Sequence, residues 1–127
     1  MDVLIRYGFT IEEIKNMMDS NISIESVDDK DIYELIDLLG SVGCLNNHIR
    51  NIFISNPFYL SRKTTDIKKL IEKFYDLNFN NLYILFDSNP FILNLDCDEI
   101  DEIYNTKKNE GLSDDEIIDY FNLNIII

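Results

Sequence analysis

This chain of 127 residues contains one histidine, two cysteines, two prolines, four glycines and no tryptophan. Because His48 is the one histidine of the sequence, neither a histidine pair for a metal ion nor a Ser-His-Asp triad centred elsewhere in the chain can be assembled. The glycines form neither a GxGxxG motif nor a phosphate-binding P-loop. These absences predict a protein that is not an enzyme and that has no cofactor and no metal site. His48 itself is expected to be a solvated surface residue.

The chain also lacks paired cysteines and long apolar runs. Cys44 and Cys97 stand alone without a CxxC spacing, which favours two reduced and largely packed thiols. No stretch approaches the roughly 18 to 20 apolar residues of a membrane span. Residues 1–6 do not resemble an export signal. We therefore expect an intracellular, cytoplasmic protein that does not bind membranes.

Basic residues are scarce, because 11 Lys and Arg face 24 Asp and Glu, for a net charge of −13. Residues 50–73 differ: they hold six basic and two acidic residues, a net of +4, so the rest of the chain carries −17. The basic residues of this segment are Arg50, Arg62, Lys63, Lys68, Lys69 and Lys73. An acidic surface repels phosphate backbones, which disfavours general nucleic-acid binding. Residues 50–73 are the one segment whose charge favours contact with phosphate groups.

What the chain does have is a repeat. Asn21, Asn56, Asn89 and Asn124 are 35, 33 and 35 residues apart. An aliphatic residue lies seven positions before each asparagine, and apolar residues follow it at the third and fourth positions. This is the stripe of an amphipathic helix, and a period near 34 residues is typical of stacked helical arrays.

Helix boundaries are marked as well. Thr10 with Glu13 and Ser113 with Glu116 form capping-box patterns, and Asn78 is predicted to cap the equivalent helix of the third unit. Thr64 or Thr65 is expected to cap the helix before it. Asn-Pro at residues 56–57 and 89–90 predicts a helix end followed by a short turn. The first unit has Asn21 and Ile22 at this place, so its turn is expected to be replaced.

These patterns predict an all-α solenoid, right- or left-handed, of about four repeats of 33–35 residues. Each repeat comprises two helices and a short Asn-Pro turn. The whole chain, residues 1–127, is interpreted as one helical-repeat domain with units of roughly 1–25, 26–60, 61–93 and 94–127. The apolar tail Ile125–Ile127 is expected to pack under the last helix or against a partner.

The segments Gly8–Ile14 and Ser55–Leu60 carry a Gly-x-Thr-x-x-Glu-Ile pattern and an Asn-Pro-x-apolar-Leu pattern. Together they resemble the repeat of the mitochondrial transcription termination factor (mTERF) family. The resemblance implies units of two longer helices and one short helix, stacked into a half-ring whose groove binds nucleic acid.

Two hypotheses for the function remain open from the sequence. The first is a binding module for a macromolecular partner, preferentially a protein, with the particular version of an acidic inhibitor or decoy that mimics nucleic acid. The alternative is a regulatory factor of the mTERF type that binds nucleic acid through the central basic residues, Arg50, Arg62, Lys63, Lys68, Lys69 and Lys73. A purely structural role for the lysines is also open, in which they neutralise the acidic helices of neighbouring units. The oligomeric state is left open.

Overall fold

The computed structural model describes residues 2–123, and every regular element in that range is a helix. The eight α-helices are α1 (Asp2–Tyr7), α2 (Ile11–Ser20), α3 (Asp29–Ser41), α4 (Asn46–Ser55), α5 (Thr64–Asp76), α6 (Leu82–Ser88), α7 (Cys97–Asn109) and α8 (Asp114–Leu123). Three 3₁₀ helices lie between them at Ile22–Ser26, Pro57–Ser61 and Pro90–Asn94. The tail Ile125–Ile127 lies outside the described residues. No helix of residues 2–123 combines the length and apolar character needed to cross a membrane.

The elements stack in three layers that repeat along the chain. In the first layer α1, α3, α5 and α7 each contact the next, and in the second α2, α4, α6 and α8 do the same. The 3₁₀ helices form the third layer, again in chain order. Each unit therefore buries its apolar faces against its neighbours. The predicted all-α solenoid of helical repeats is confirmed.

The first-layer helices all end in the same left-handed turn. Gly8, Gly43, Asn78 and Gly111 occupy the equivalent position, each with positive φ. In each case two amides reach back into the last turn of the helix, as in Phe9 N–H to Leu4 O at 3.0 Å and Gly8 N–H to Ile5 O at 3.0 Å. This is the Schellman arrangement, which satisfies carbonyls that the helix leaves unpaired.

The predicted capping role of Asn78 is therefore wrong. Asn78 ends α5 with φ 66°, and α6 begins only after Asn81, which is also left-handed at φ 53°. Asparagine tolerates this backbone region better than most other residues, so it can stand where the other units use glycine. Without a side-chain cap, α6 is the shortest second-layer helix of the described chain, at seven residues.

The two predicted capping boxes are present. Thr10 N–H donates to Glu13 Oε1 at 2.9 Å, and Glu13 N–H donates to Thr10 Oγ1 at 3.1 Å. Ser113 and Glu116 make the same pair of bonds. In the second unit His48 Nδ1 accepts the Leu45 N–H at 2.9 Å, so this histidine is a partly buried helix cap and not merely a solvated residue. Satisfying these amides fixes where the second-layer helices begin.

The repeated asparagines do more than end helices. Asn21 Nδ2 donates to Pro57 O at 3.2 Å and to Ser61 Oγ at 3.0 Å, both in the next unit. Asn56 Nδ2 likewise donates to Pro90 O at 3.0 Å and to Asn94 Oδ1 at 2.9 Å. Asn89 Nδ2 donates to Phe121 O at 3.0 Å. All three asparagines are buried, so the amides tie consecutive units together inside the protein.

The 3₁₀ helix does not depend on proline. Pro57 and Pro90 begin the second and third of these helices, as the Asn-Pro pattern predicts. The first unit forms the equivalent helix, Ile22–Ser26, with isoleucine in place of proline. There Asn21 Oδ1 accepts the Ser23 N–H at 3.2 Å and caps the turn. Asn21 and the residues after it thus take the place of the Asn-Pro turn in the first unit, as expected, and the side-chain cap starts the same kind of helix without proline.

Candidate nucleic-acid interface

Arg50, the first of the predicted basic residues, holds two units together. Its Nη1 donates to Gly8 O at 2.7 Å, and its Nη2 donates to both carboxylate oxygens of Glu13 at 3.2 Å. The guanidinium also lies 4.7 Å from the ring centroid of Phe9. The backbone bond from Thr10 and, after it, the bond from Arg50 lower the pKa of Glu13 below its ordinary value. Arg50 is therefore a structural residue of the interface between units 1 and 2.

Lys73 has a similar role between units 3 and 4. Its Nζ lies 2.9 Å from Asp101 Oδ2, which joins α5 to α7. The hydrogen bond to Asp101 raises the pKa of Lys73. For Arg50 and Lys73 the neutralising interpretation of the basic residues is therefore the correct one. With their charges balanced by Glu13 and Asp101, the net charge of +4 in residues 50–73 falls to +2.

The remaining basic residues surround the start of α5. This helix begins at Thr64, and its N-cap residue is Lys63, whose side chain makes no capping bond. The expectation that Thr64 or Thr65 caps the helix is wrong, since Lys63 has the extended backbone of an N-cap and both threonines follow it within the helix. A lysine side chain has no acceptor atom. The first amides of α5 thus lack a side-chain partner, and Lys63 adds positive charge beside them.

Arg62 lies just before this helix start and is half-buried. Its Nη2 donates to Leu95 O at 3.1 Å, in the connection that leads to the next unit. Its Nε is buried and has no acceptor among residues 2–123. An unpaired buried donor costs free energy, so the guanidinium is held here with hydrogen-bonding capacity unused.

Arg62 forms the wall between two open grooves. The first groove, of about 340 Å³, lies between the starts of α3 and α5. Its polar lining consists of Ser26, Asp31, Ser61, Arg62, Lys63, Thr64 and Thr65. It therefore combines two cations, four hydroxyl side chains and the uncapped start of α5 with a single carboxylate, that of Asp31. Such a combination of donors and positive charge suits a phosphate group.

The second groove, of about 370 Å³, lies between the starts of α5 and α7 and is acidic. It contains Arg62 and Lys69, but also the carboxylates of Asp66, Asp96 and Asp98. Three carboxylates outweigh two cations, so this groove repels anions.

The other two predicted lysines that remain, Lys68 and Lys69, do not line the first groove. Lys69 lines the second groove, whereas Lys68 is exposed on α5 and lines neither. The structure thus brings Arg62 and Lys63 together in the first groove and leaves Lys68 and Lys69 at its side. With Arg50 and Lys73 engaged in ion pairs, four of the six predicted residues remain available to a partner: Arg62, Lys63, Lys68 and Lys69.

The cysteines and acidic clusters supply no further site in the described chain. Cys44 is buried, which raises its pKa to about 12, and Cys97 is a half-buried free thiol whose pKa burial also raises. Neither sulfur is therefore ionised near neutral pH. Across residues 2–123, no set of three or more His, Cys, Asp or Glu side chains is placed to hold a metal ion.

The arrangement of long helix, shorter helix and 3₁₀ helix agrees with a family comparison. The family model described as mTERF matches residues 1–121, nearly the full length of the chain. The chain belongs to the mTERF family. No curated protein and no solved structure gave a match. The residues matched by the mTERF model include all the elements that form the two grooves.

Proposed function

We propose that this mTERF-family protein is a regulatory factor that binds nucleic acid, with phosphate groups of the backbone bound in the first groove. The observation that carries the proposal is the start of α5, which has no side-chain cap and lies beside Arg62 and Lys63 in the first groove. Asp31 is the one carboxylate that lines this groove, and Asp66, in the first turn of α5, lines the second groove instead. Backbone amides at a helix start and basic side chains are standard phosphate contacts. Membership in the mTERF family supports the same function.

The net charge limits the strength of this binding but does not prevent it. Exposed charges further apart than about 8 Å are largely screened at about 0.15 M salt. A phosphate in the first groove therefore interacts mainly with the cations and amides that line it. Since few cations are available, we expect contact with about two to four phosphates, and affinity that decreases steeply as salt rises.

The hypothesis of a protein partner, and of an acidic decoy in particular, gains no support from the family match. Its motivation was the acidic charge outside residues 50–73. Part of that charge has a structural use, because Glu13 and Asp101 bind Arg50 and Lys73 across unit boundaries. We therefore favour the nucleic-acid hypothesis.

The test is a titration of labelled single- and double-stranded DNA and RNA, followed by fluorescence anisotropy at several salt concentrations. The key variant is Lys63→Gln, which removes a charge from an exposed residue whose side chain makes no capping bond. The control is Arg6→Gln, an equal charge change on an exposed residue of α1, outside both grooves.

For every nucleic acid that binds, Lys63→Gln should weaken binding and reduce the slope of log affinity against log salt by about 1. The control should leave the slope unchanged. The four nucleic acids distinguish DNA from RNA and single from double strands. Absence of binding to all of them at low salt, or equal slopes for both variants, refutes the proposal.

A further inference from the structure

The most exposed apolar side chains of residues 2–123 lie at the two ends of the stack. Leu123 is 83% exposed on the last helix, while Ile11 and Ile22 are 78% and 77% exposed in the first unit. In the second unit, the residue equivalent to Ile22 is covered by the first unit. Thirty-five residues after Ile22 stands Pro57, which is buried. The first unit thus presents a face that interior units use for contact.

The residues of this first face match, one by one, residues that bind the preceding unit elsewhere in the stack. Asn46 accepts a bond from Tyr7, Arg50 binds Gly8 and Glu13, and Pro57 and Ser61 accept bonds from Asn21. Thirty-five residues earlier stand Ile11, Lys15, Ile22 and Ser26, in that order. Lys15 therefore takes the place of the cation, and Ile22 and Ser26 take the places of the two acceptors.

The match extends to local geometry. Ser61 Oγ donates to Phe58 O at 3.0 Å while it accepts from Asn21. Ser26 Oγ donates to Ser23 O at 3.3 Å in the equivalent 3₁₀ helix. The Ser26 hydroxyl is thus turned in the same way, and its oxygen can accept a bond from a unit stacked on this face.

The last unit carries the complementary groups. Gly111 and Glu116 occupy the positions that Gly8 and Glu13 hold in the first unit, within the same Schellman turn and capping box. A Cβ atom built on Gly8 would lie 3.6 Å from Arg50 Nη1, whereas one built on Gly111 meets no atom within 4 Å. Among residues 2–123, nothing fills at the last unit the space that Arg50 fills at the first interface.

We propose that a second copy of this chain stacks on the last unit, so that copies associate end to end. Lys15 of one copy then takes the place of Arg50 beside Glu116 and the Gly111 carbonyl of the other. Ile22 is covered as Pro57 is within the stack. The second copy is the favoured occupant because its own first unit presents a cation, an apolar residue and a hydroxyl at the repeat spacing that this end requires.

Such a contact joins two different faces, so each added copy leaves a free end. An interface of this kind produces open chains of copies and not a closed dimer. Both end units are acidic, which opposes association at low salt. At about 0.15 M salt, repulsion between charges more than about 8 Å apart is largely screened, and the local contacts decide.

Sedimentation equilibrium at about 0.15 M salt tests the proposal over a wide range of protein concentration and without nucleic acid. The average mass of the unaltered chain should rise with concentration and pass that of a dimer. Lys15→Glu replaces an attraction by a repulsion, so it should raise the dissociation constant about tenfold. Lys30→Glu, an equal change on an exposed residue of the interior helix α3, should leave it unchanged.

Combining Lys15→Glu with Glu116→Lys reverses the pair and should restore part of the lost affinity, with circular dichroism confirming that each variant is folded. A chain that stays monomeric at every concentration overturns the proposal. So does a mass that stops at the dimer, or a Lys15→Glu variant that behaves like Lys30→Glu. None of these outcomes depends on whether the first groove binds nucleic acid.

Discussion

Replacing Asn56 by alanine tests how strongly the buried asparagines couple the units. Asn56 is fully buried, and its Nδ2 donates to Pro90 O at 3.0 Å and to Asn94 Oδ1 at 2.9 Å in the next unit. The variant Asn56→Ala removes both bonds. The Pro90 carbonyl then loses the side-chain donor that reaches it inside the protein, whereas Asn94 is half-exposed and can bind water.

The size of the effect follows from these environments. A buried polar group left without a partner costs about 1–3 kcal/mol. We expect Asn56→Ala to lower the free energy of unfolding by about 2–3 kcal/mol, a large part of the roughly 5–15 kcal/mol typical of a domain. Asn56→Asp should cost more, because it keeps the shape but places a carboxylate against the two acceptor oxygens.

Urea denaturation followed by circular dichroism measures both losses. The matched control is Asn51→Ala in α4, whose amide also bonds to the third unit, at Asp87, but at the surface. This control should change the free energy of unfolding by no more than about 0.5 kcal/mol. If Asn56→Ala is no more destabilising than Asn51→Ala, the buried asparagines do not couple the units and the reasoning is refuted.

Two further predictions concern backbone geometry and pH. Gly43 has φ +99° and its added Cβ would lie 3.1 Å from Tyr83, so Gly43→Ala should lower the midpoint of thermal unfolding, with a cost of about 1–2 kcal/mol. Gly40→Ala, inside α3 with no atom within 4 Å of the added Cβ, should raise this midpoint, since it stabilises the folded state by about 0.5–1 kcal/mol. Midpoint shifts in the same direction for both variants would contradict this account. Folding lowers the pKa of Glu13 below 4.5, so its contribution to stability is present above pH 4.5 and lost as pH falls through the folded pKa. Glu13→Gln should flatten the stability-versus-pH curve in that acidic range, and an unchanged curve would show that Glu13 is not coupled to folding.

The repeat could be predicted from the sequence because it is written in local patterns. The aliphatic residues Ile14, Ile49, Leu82 and Ile117 recur at the period of the units, and all four are buried in the common core. Capping boxes and Asn-Pro turns are likewise short-range signals, each decided by a few neighbouring residues. The fold class followed from these patterns alone.

The site could be predicted only in part, because it depends on contacts across unit boundaries. Arg50 and Lys73 belong to the basic segment, yet their partners Glu13 and Asp101 lie 37 and 28 residues away. Lys63 is part of the site because it is the N-cap residue of α5. The sequence patterns placed this cap one or two residues later, at Thr64 or Thr65. The role of Asn56 was hidden for the same reason, since its acceptors lie one repeat further along.

One further signal in the sequence could have located the left-handed turns. Gly8, Gly43, Asn78 and Gly111 are spaced 35, 35 and 33 residues apart, close to the spacing of the repeated asparagines. Asparagine shares the left-handed region with glycine more readily than most residues do. Treating Asn78 as a glycine equivalent would have placed the end of α5 correctly.

The central claim is that phosphate groups bind at the start of α5. Its most direct test is to titrate an oligonucleotide that binds into isotope-labelled protein and to follow the backbone amide chemical shifts by NMR. The account predicts that the largest changes occur from Ser61 to Thr65, at the uncapped start of α5, with little change at the acidic residues 96–98. Changes that centre on the second groove, or on the Arg50 contact between the first two units, would contradict it.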